Sequence, residues 1–168
     1  MNIRLAKEQD LPRIMEMVKI SIMIMKSENS DQWTEEYPLT KDFEKDLNEG
    51  SLYVADLNGE VVGAITVDQI QPEEYLEADW RRKDEPFFVF HRLVVDSEIR
   101  GAGIASQLIS HAENLSIYNR VYYMKTDTYS LNPNAQRLFE KNGYQRVDTI
   151  FLMGKNSPFY CYDKILNH

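Results

Sequence analysis

Residues 96–105 read Asp96-Ser97-Glu98-Ile99-Arg100-Gly101-Ala102-Gly103-Ile104-Ala105 and stand between a long apolar run, 87–95, and a segment of helical periodicity. Glycines at 101 and 103 let the backbone turn its N–H groups inward, and the positive end of a following helix adds to the pull on an anion. Such a loop either cradles phosphate or makes a plain structural turn, so its surroundings decide. The run 87–95 has the length and composition of a central strand, Ile104, Leu108, Ile109 and Ala112 recur at helical spacing, and 121–126 forms the next strand. Strand, glycine loop, helix and strand make a parallel crossover.

Upstream, Ile3 and Leu5 alternate as a short strand, and Asp10 is expected to cap a helix with Pro12 in its first turn. Leu11, Ile14, Met15, Val18, Ile22 and Met25 give that helix a buried face. Thr40 is expected to cap a shorter helix through Phe43 and Leu47 that Gly50 ends. Strands 52–55 and 61–67 flank Asn58-Gly59, a pair that tolerates positive φ and signals a hairpin. Downstream, a helix over 134–141 ends at Asn142-Gly143, and strands 144–152 and 159–165 follow. The stretches 27–38 and 71–86 are irregular. With no repeat and no boundary, residues 1–168 read as one domain, long enough to bury a core without staples.

A formal charge of -8 argues against a nucleic-acid binder and suits a cationic small substrate, so any phosphate site must be built locally. The one cysteine, Cys161, makes no internal disulfide, and no apolar run has the length of a signal peptide or membrane span. These features lead us to expect a soluble cytoplasmic protein. His91, His111 and His168 are scattered without metal-ligand spacing, which predicts no metal. Cys161 suggests a covalent thioester route, but it sits in an alternating strand where a small buried residue is the ordinary explanation. A P-loop is excluded because Gly-Lys-Ser/Thr is missing, and a dinucleotide fingerprint is disfavoured by Ser106 and by the hairpin that precedes the loop.

Arg100, Gly103 and Ala105 fit the pattern Arg/Gln-x-x-Gly-x-Gly/Ala, and a second motif reads Asn132-Pro-Asn-Ala135-Gln-Arg-Leu138-Phe139-Glu-Lys141-Asn-Gly143-Tyr144. On these two motifs the chain resembles the GCN5-related N-acetyltransferase family over nearly its whole length. The resemblance implies an α/β fold with a central mixed sheet, flanked by helices, that splays after the long strand to admit acetyl-CoA as co-substrate. It assigns the pyrophosphate to Arg100, Gly101, Ala102, Gly103, Ile104 and Ala105, and the pantetheine arm to the backbone of Leu93 and Val95 and to Asn132. The N–H of Val94 or a neighbour would polarise the thioester carbonyl, as a fixed donor stabilises a developing oxyanion. Arg137 and Lys141, near the second motif, would either help with the coenzyme phosphates or be the ordinary charges of an exposed helix face. Phe139 departs from the pattern, since many relatives carry a tyrosine there that protonates the thiolate. A thiol of pKa about 8.5 leaves tolerably without that acid.

The acceptor amine needs a group to draw off its proton, and His91, Glu85 and Asp127 are the candidates. His91 is either that base or a core histidine satisfied by a carbonyl, and Asp127, just past the end of its strand, is either a base or a turn residue. Trp33, Tyr37, Tyr75 and Trp80 would either roof the acceptor side or pack loops onto the core. Arg92 is a coenzyme or substrate contact or an ion-pair partner. The resulting expectation is an N-acetyltransferase acting on a small-molecule or peptide amine in a ternary complex. The alternatives are an acyl-CoA-binding module without turnover and, more distantly, a dinucleotide-binding protein. The C-terminal strand offers an edge for a homodimer.

Overall fold

A computed structural model describes residues 1–99 and 101–167 of the chain. A seven-stranded sheet runs in the order β1-β2-β3-β4-β5-β7-β6, from β1 (Asn2–Leu5), β2 (Leu52–Leu57), β3 (Glu60–Asp68), β4 (Phe88–Val95), β5 (Tyr123–Tyr129), β6 (Gln145–Ile150) and β7 (Phe159–Ile165). Only β4 and β5 run parallel, joined through α3 (Ile104–Tyr118) as the crossover pattern requires. The hairpin turns at Asn58 and Gly59, with φ of 55° and 91°, the positive angles that these residue types tolerate.

The apolar stripes of the helices decide where each one lies. Ile104, Leu108, Ile109 and Ala112 of α3, with Phe139 of α4 (Pro133–Lys141), pack on Ile65, Val67, Phe88, Phe90 and Met124. Leu11, Ile14, Met17 and Val18 of α1 (Leu11–Ser27), with Phe43 of α2 (Thr40–Asn48), cover Leu52, Val54, Ala64 and Val94. Neighbouring residues such as Ala64 and Ile65 therefore bury on opposite faces, as the two-residue period of a strand dictates. Full burial of each large apolar side chain contributes about 1.5–3 kcal/mol. Among the described residues, no helix is long and apolar enough to cross a membrane.

Four local readings are corrected. Thr40 opens α2 rather than capping it; Leu39 precedes the helix, and the Asp42 carboxylate accepts the Leu39 N–H at 2.7 Å. Asp10 does not cap α1 with its side chain, which instead accepts from Arg4 and from the Lys7 N–H. β5 continues to Tyr129, so Asp127 lies within the strand, opposite Cys161 on β7. The C-terminal strand β7 is no edge, because it sits between β5 and β6 and is paired on both sides.

Candidate active site

The β4 to β5 seam opens within two residues. Phe88 pairs with Met124 and Val89 with Lys125, and there the parallel ladder stops. The Thr126 hydroxyl donates to the Phe90 carbonyl at 2.9 Å just beyond the last pair. On its other side β4 stays paired with β3, but with an irregularity: Thr66 faces His91 and Ala64 faces Val94, so Arg92 and Leu93 share one partner, Ile65. Arg92 takes φ +49° there. The extra residue bends β4 away from β5, as a bulge does.

Side chains from the opposite face fix this bend. Arg92 donates through Nε and Nη2 to the two Asp46 oxygens of α2, each at 2.7 Å, and through Nη1 to the Tyr37 hydroxyl at 2.9 Å. The Thr66 hydroxyl donates to the same Asp46 carboxylate at 2.7 Å. Burial pulls the Arg92 guanidinium downward, but the Asp46 carboxylate and Tyr37 more than offset it, so the group is held protonated. Arg92 is thus a half-buried ion-pair partner at the cleft wall.

The splay is one wall of a cleft of about 1080 Å³. Gly101, Gly103, Ile104 and Ala105 line one end, at the N-terminus of α3. Gly101 and Gly103 have φ of +85° and +74°, and a Cβ on either would project into open space, so the turn offers backbone to a bulky anion. Ala102 lies in the same turn but does not line the cleft, and Arg100 falls outside the described residues. Leu93, Val94 and Val95 form the wall, with Phe139 and Lys141 from α4 facing them across the opening. Phe139 is buried edge-on against Phe90 and Tyr162. Asn132 also lines the cleft, but its amide is committed: Oδ1 caps α4 at the Ala135 N–H and Nδ2 donates to Gln32.

At the other end stand Trp33, Tyr37, His91 and Asp127. His91 Nε2 lies 3.0 Å from Asp68 Oδ2. Asp127 accepts the Tyr75 hydroxyl, and burial raises its carboxyl above the usual range against the opposing pull of Tyr75 and His91. Burial, with Asp127 next, pushes the Tyr75 phenol well above its ordinary value.

Three expected site residues stand elsewhere. Glu85 is exposed and pairs with Arg82 at 2.7 Å. Tyr75 and Trp80 do not roof the cleft; they are buried with Val89, Tyr123 and Cys161 beneath the segment 71–86. Trp80 stacks on Tyr75 and lies 4.8 Å from the Lys125 ammonium. Arg81 anchors the same segment to the fully buried Asp163, Nε to Oδ1 at 2.7 Å. Aromatic residues in an irregular stretch are thus used here to seal the sheet, with only the Tyr75 hydroxyl reaching toward the cleft wall.

Asp46, Thr66 and Asp68 escaped the reading of the sequence. Asp46 follows Phe43 by three residues and so belongs to the inward stripe of α2, where a carboxylate demands a partner. Thr66 and Asp68 share one face of β3 with Ala64. Among the described residues, no group of three or more His, Cys, Asp or Glu side chains is placed to hold a metal.

The acetyltransferase (GNAT) family model matches residues 21–144. A protein from Staphylococcus aureus Mu50 assigned as an acetyltransferase is 34% identical, with 98% of this chain and 99% of that chain covered and a TM-score of 0.78. A GNAT-family acetyltransferase from Streptococcus agalactiae 2603 shares the fold at 24% identity and a TM-score of 0.85, with 99% and 96% covered. So does a Salmonella typhimurium protein solved with its cofactor acetyl-CoA, at 15% identity and a TM-score of 0.72, with 100% and 95% covered. Among curated proteins none matches significantly. The family match over most of the chain, with the opened seam and the glycine turn that the two motifs led us to expect, shows that this chain belongs to the GNAT acetyltransferase family.

Proposed function

We propose that the chain transfers an acetyl group from acetyl-CoA to a primary amine by direct attack in a ternary complex. The observation that carries this reading is the unpaired β5-facing edge of β4 beyond Val89, which opens beside the glycine turn at the start of α3. The two features fit the donor, since an extended amide chain can lie along an open strand edge while its pyrophosphate meets backbone N–H groups at a helix start.

In this reading Gly101, Ala102, Gly103, Ile104 and Ala105, with Arg100, hold the pyrophosphate, and Lys141 lends charge beside it. Leu93 and Val95 bond the pantetheine arm through their backbone, Asn132 borders it, and Phe139 packs against it. The Val94 N–H or a neighbour at the bend polarises the thioester carbonyl, aimed before the reaction begins. Trp33 and Tyr37 border the amine, and His91 or Asp127 receives its proton. Glu85 as base and Tyr75 and Trp80 as amine contacts are left out of this reading, because they do not line the cleft. The free and buried Cys161 accords with a reducing cytoplasm.

A second reading, binding of acyl-CoA without turnover, is favoured by Phe139, which puts a ring without a hydroxyl against the opening. Calorimetric titration with acetyl-CoA of the wild type and of Gly103→Trp tests the donor site, because a Cβ at Gly103 meets nothing within 4 Å and the cost of the variant is the local strain of its positive φ. Micromolar binding by the wild type that the folded variant loses is expected. Release of free CoA with members of an amine panel then separates the two readings, and binding with no release across the panel supports the second.

A further inference from the structure

Glu28, Glu36 and Glu74 line the cleft from outside the sheet, and of the two proton acceptors that the strands present to it one is already engaged and one is free to act. Asp127 accepts the hydroxyl of the buried Tyr75. His91 lines the same cleft, and its Nε2 lies 3.0 Å from Asp68 Oδ2. Asp68 is itself fixed, because its Oδ1 accepts the Ile70 N–H at 3.0 Å. Both oxygens of that carboxylate therefore act as acceptors, which obliges the neutral ring to carry its hydrogen on Nε2 and leaves Nδ1 as a bare lone pair. Among the described residues Nδ1 has no hydrogen-bond partner. The side chains are 28% and 11% exposed, so the ring meets the cleft while the carboxylate is shielded behind it.

Strand alternation places His91 on the same face of β4 as Val89, opposite Phe88 and Phe90, which pack toward α3 and α4. Asp68 from β3 and Asp127 from β5 are the acidic groups that interact with the ring, with Glu74 from the segment 71–86 next to Asp127, and the neighbouring Arg92 is paired with Asp46.

We propose that Asp68 and His91 work as a pair in the acetyl transfer, His91 taking the amine proton at Nδ1 and Asp68 acting as the positioning residue that fixes the tautomer and the ring plane. The inference rests on the acetyl-transfer reading above. One proton of the ammonium leaves to solvent, and the nitrogen lone pair then attacks the thioester carbonyl carbon. As the C–N bond forms, a second proton passes from nitrogen to Nδ1. The C–S bond breaks with its electron pair staying on sulfur, and the imidazolium returns the proton to the thiolate. Amine and thioester thus give amide and thiol with the ring restored. The same ring also supplies the proton that Phe139 cannot.

The test combines kinetics with a readout that needs no acceptor. Wild type, Asp68→Asn, His91→Ala and Asp127→Asn are compared by CoA release with an amine that the wild type acetylates, by acetyl-CoA titration and by melting temperature. His91→Ala is expected to lose about 100-fold or more in kcat, the scale of general base catalysis, with added imidazole restoring part of it. Asp68→Asn is expected to lose about tenfold or more in kcat, with its affinity for acetyl-CoA within about twofold of wild type and the acidic limb of its pH–rate profile displaced. Long-range ¹H–¹⁵N correlation of the His91 ring should show the Nε2–H form in the wild type and a mixture in Asp68→Asn, even if that variant is slow for other reasons. Full turnover by His91→Ala, or an unchanged pH profile and tautomer in Asp68→Asn, overturns the pair while leaving the transferase standing. A wild type that binds acetyl-CoA and acetylates no amine overturns the transferase reading, and the pair falls with it.

Discussion

The Arg92 guanidinium and the Asp46 carboxylate meet in a two-pronged pair, Nε and Nη2 each 2.7 Å from a carboxylate oxygen, and this pair ties the bend in β4 to the helix across the sheet. Asp46 is 2% exposed, so removing it leaves a cation in a dry place. Asp46→Ala is expected to cost about 3 kcal/mol in denaturant unfolding, the scale for breaking a buried pair from one side. A charge-free double variant, Asp46→Leu with Arg92→Met, should regain most of that stability yet turn over more slowly, because the bend loses its hold. Wild-type kcat in the folded double variant would show that the bend needs no tether.

Lys125 introduces a pH dependence of the same sign as acid unfolding but in the alkaline range. Its ammonium lies 4.1 Å from the Phe87 ring centre, donates to Gln71 at 3.0 Å, and is pushed by burial down to about 8 from 10.5. Between those values the unfolded chain binds the proton that the folded chain has released, so stability rises with pH across that window. Lys125→Met should remove this rise, and its advantage over wild type in melting temperature should be largest near neutral pH and shrink toward pH 10.5.

Phe139→Tyr is expected to fold normally and to leave kcat within about twofold, because a thiol of pKa about 8.5 departs well unaided. Stopped-flow measurement of CoA release checks this. A gain of tenfold would mean that protonation of sulfur limits the natural protein.

At Gly63 β3 lies close against α3. A Cβ added there would lie 3.0 Å from Leu108 Cδ1, 3.2 Å from Ile104 Cγ2 and 3.3 Å from the Val94 carbonyl oxygen. The carbonyl is backbone and cannot turn aside. Gly63→Val should therefore cost about 1–3 kcal/mol as an overpacked contact, and it should weaken acetyl-CoA binding by lifting the start of α3. Unchanged affinity in a destabilised variant would separate the two effects.

Much of the fold was legible because its signals are local. Asn58-Gly59 specifies its own turn, and the glycines at 101 and 103 mark where a strand hands over to a helix. The order of the last strands carries no such signal: nothing in residues 145–165 says that β7 inserts between β5 and β6. The end of the cleft at the glycine turn was legible as well, since backbone and turn chemistry build it. The end at His91 was not, because pairs such as Asp68 with His91 and Tyr75 with Asp127 join residues 23 and 52 positions apart. Trp80 illustrates the same limit, for an aromatic residue in a loop looks alike from the sequence whether it faces a ligand or a buried lysine.

The position of β7 bears on how the protein is made. During synthesis β5 and β6 leave the ribosome before the strand that joins them, so until residues 159–165 emerge β5 lacks its partner on one side and β6 has no strand to pair with. A nascent chain paused just before β7 is thus a sheet with an open margin at β5 and a loose strand beyond it, the kind of species that chaperones hold and that aggregates when they are scarce. A premature stop anywhere before residue 159 removes β7 and should harm solubility far more than one placed after residue 165.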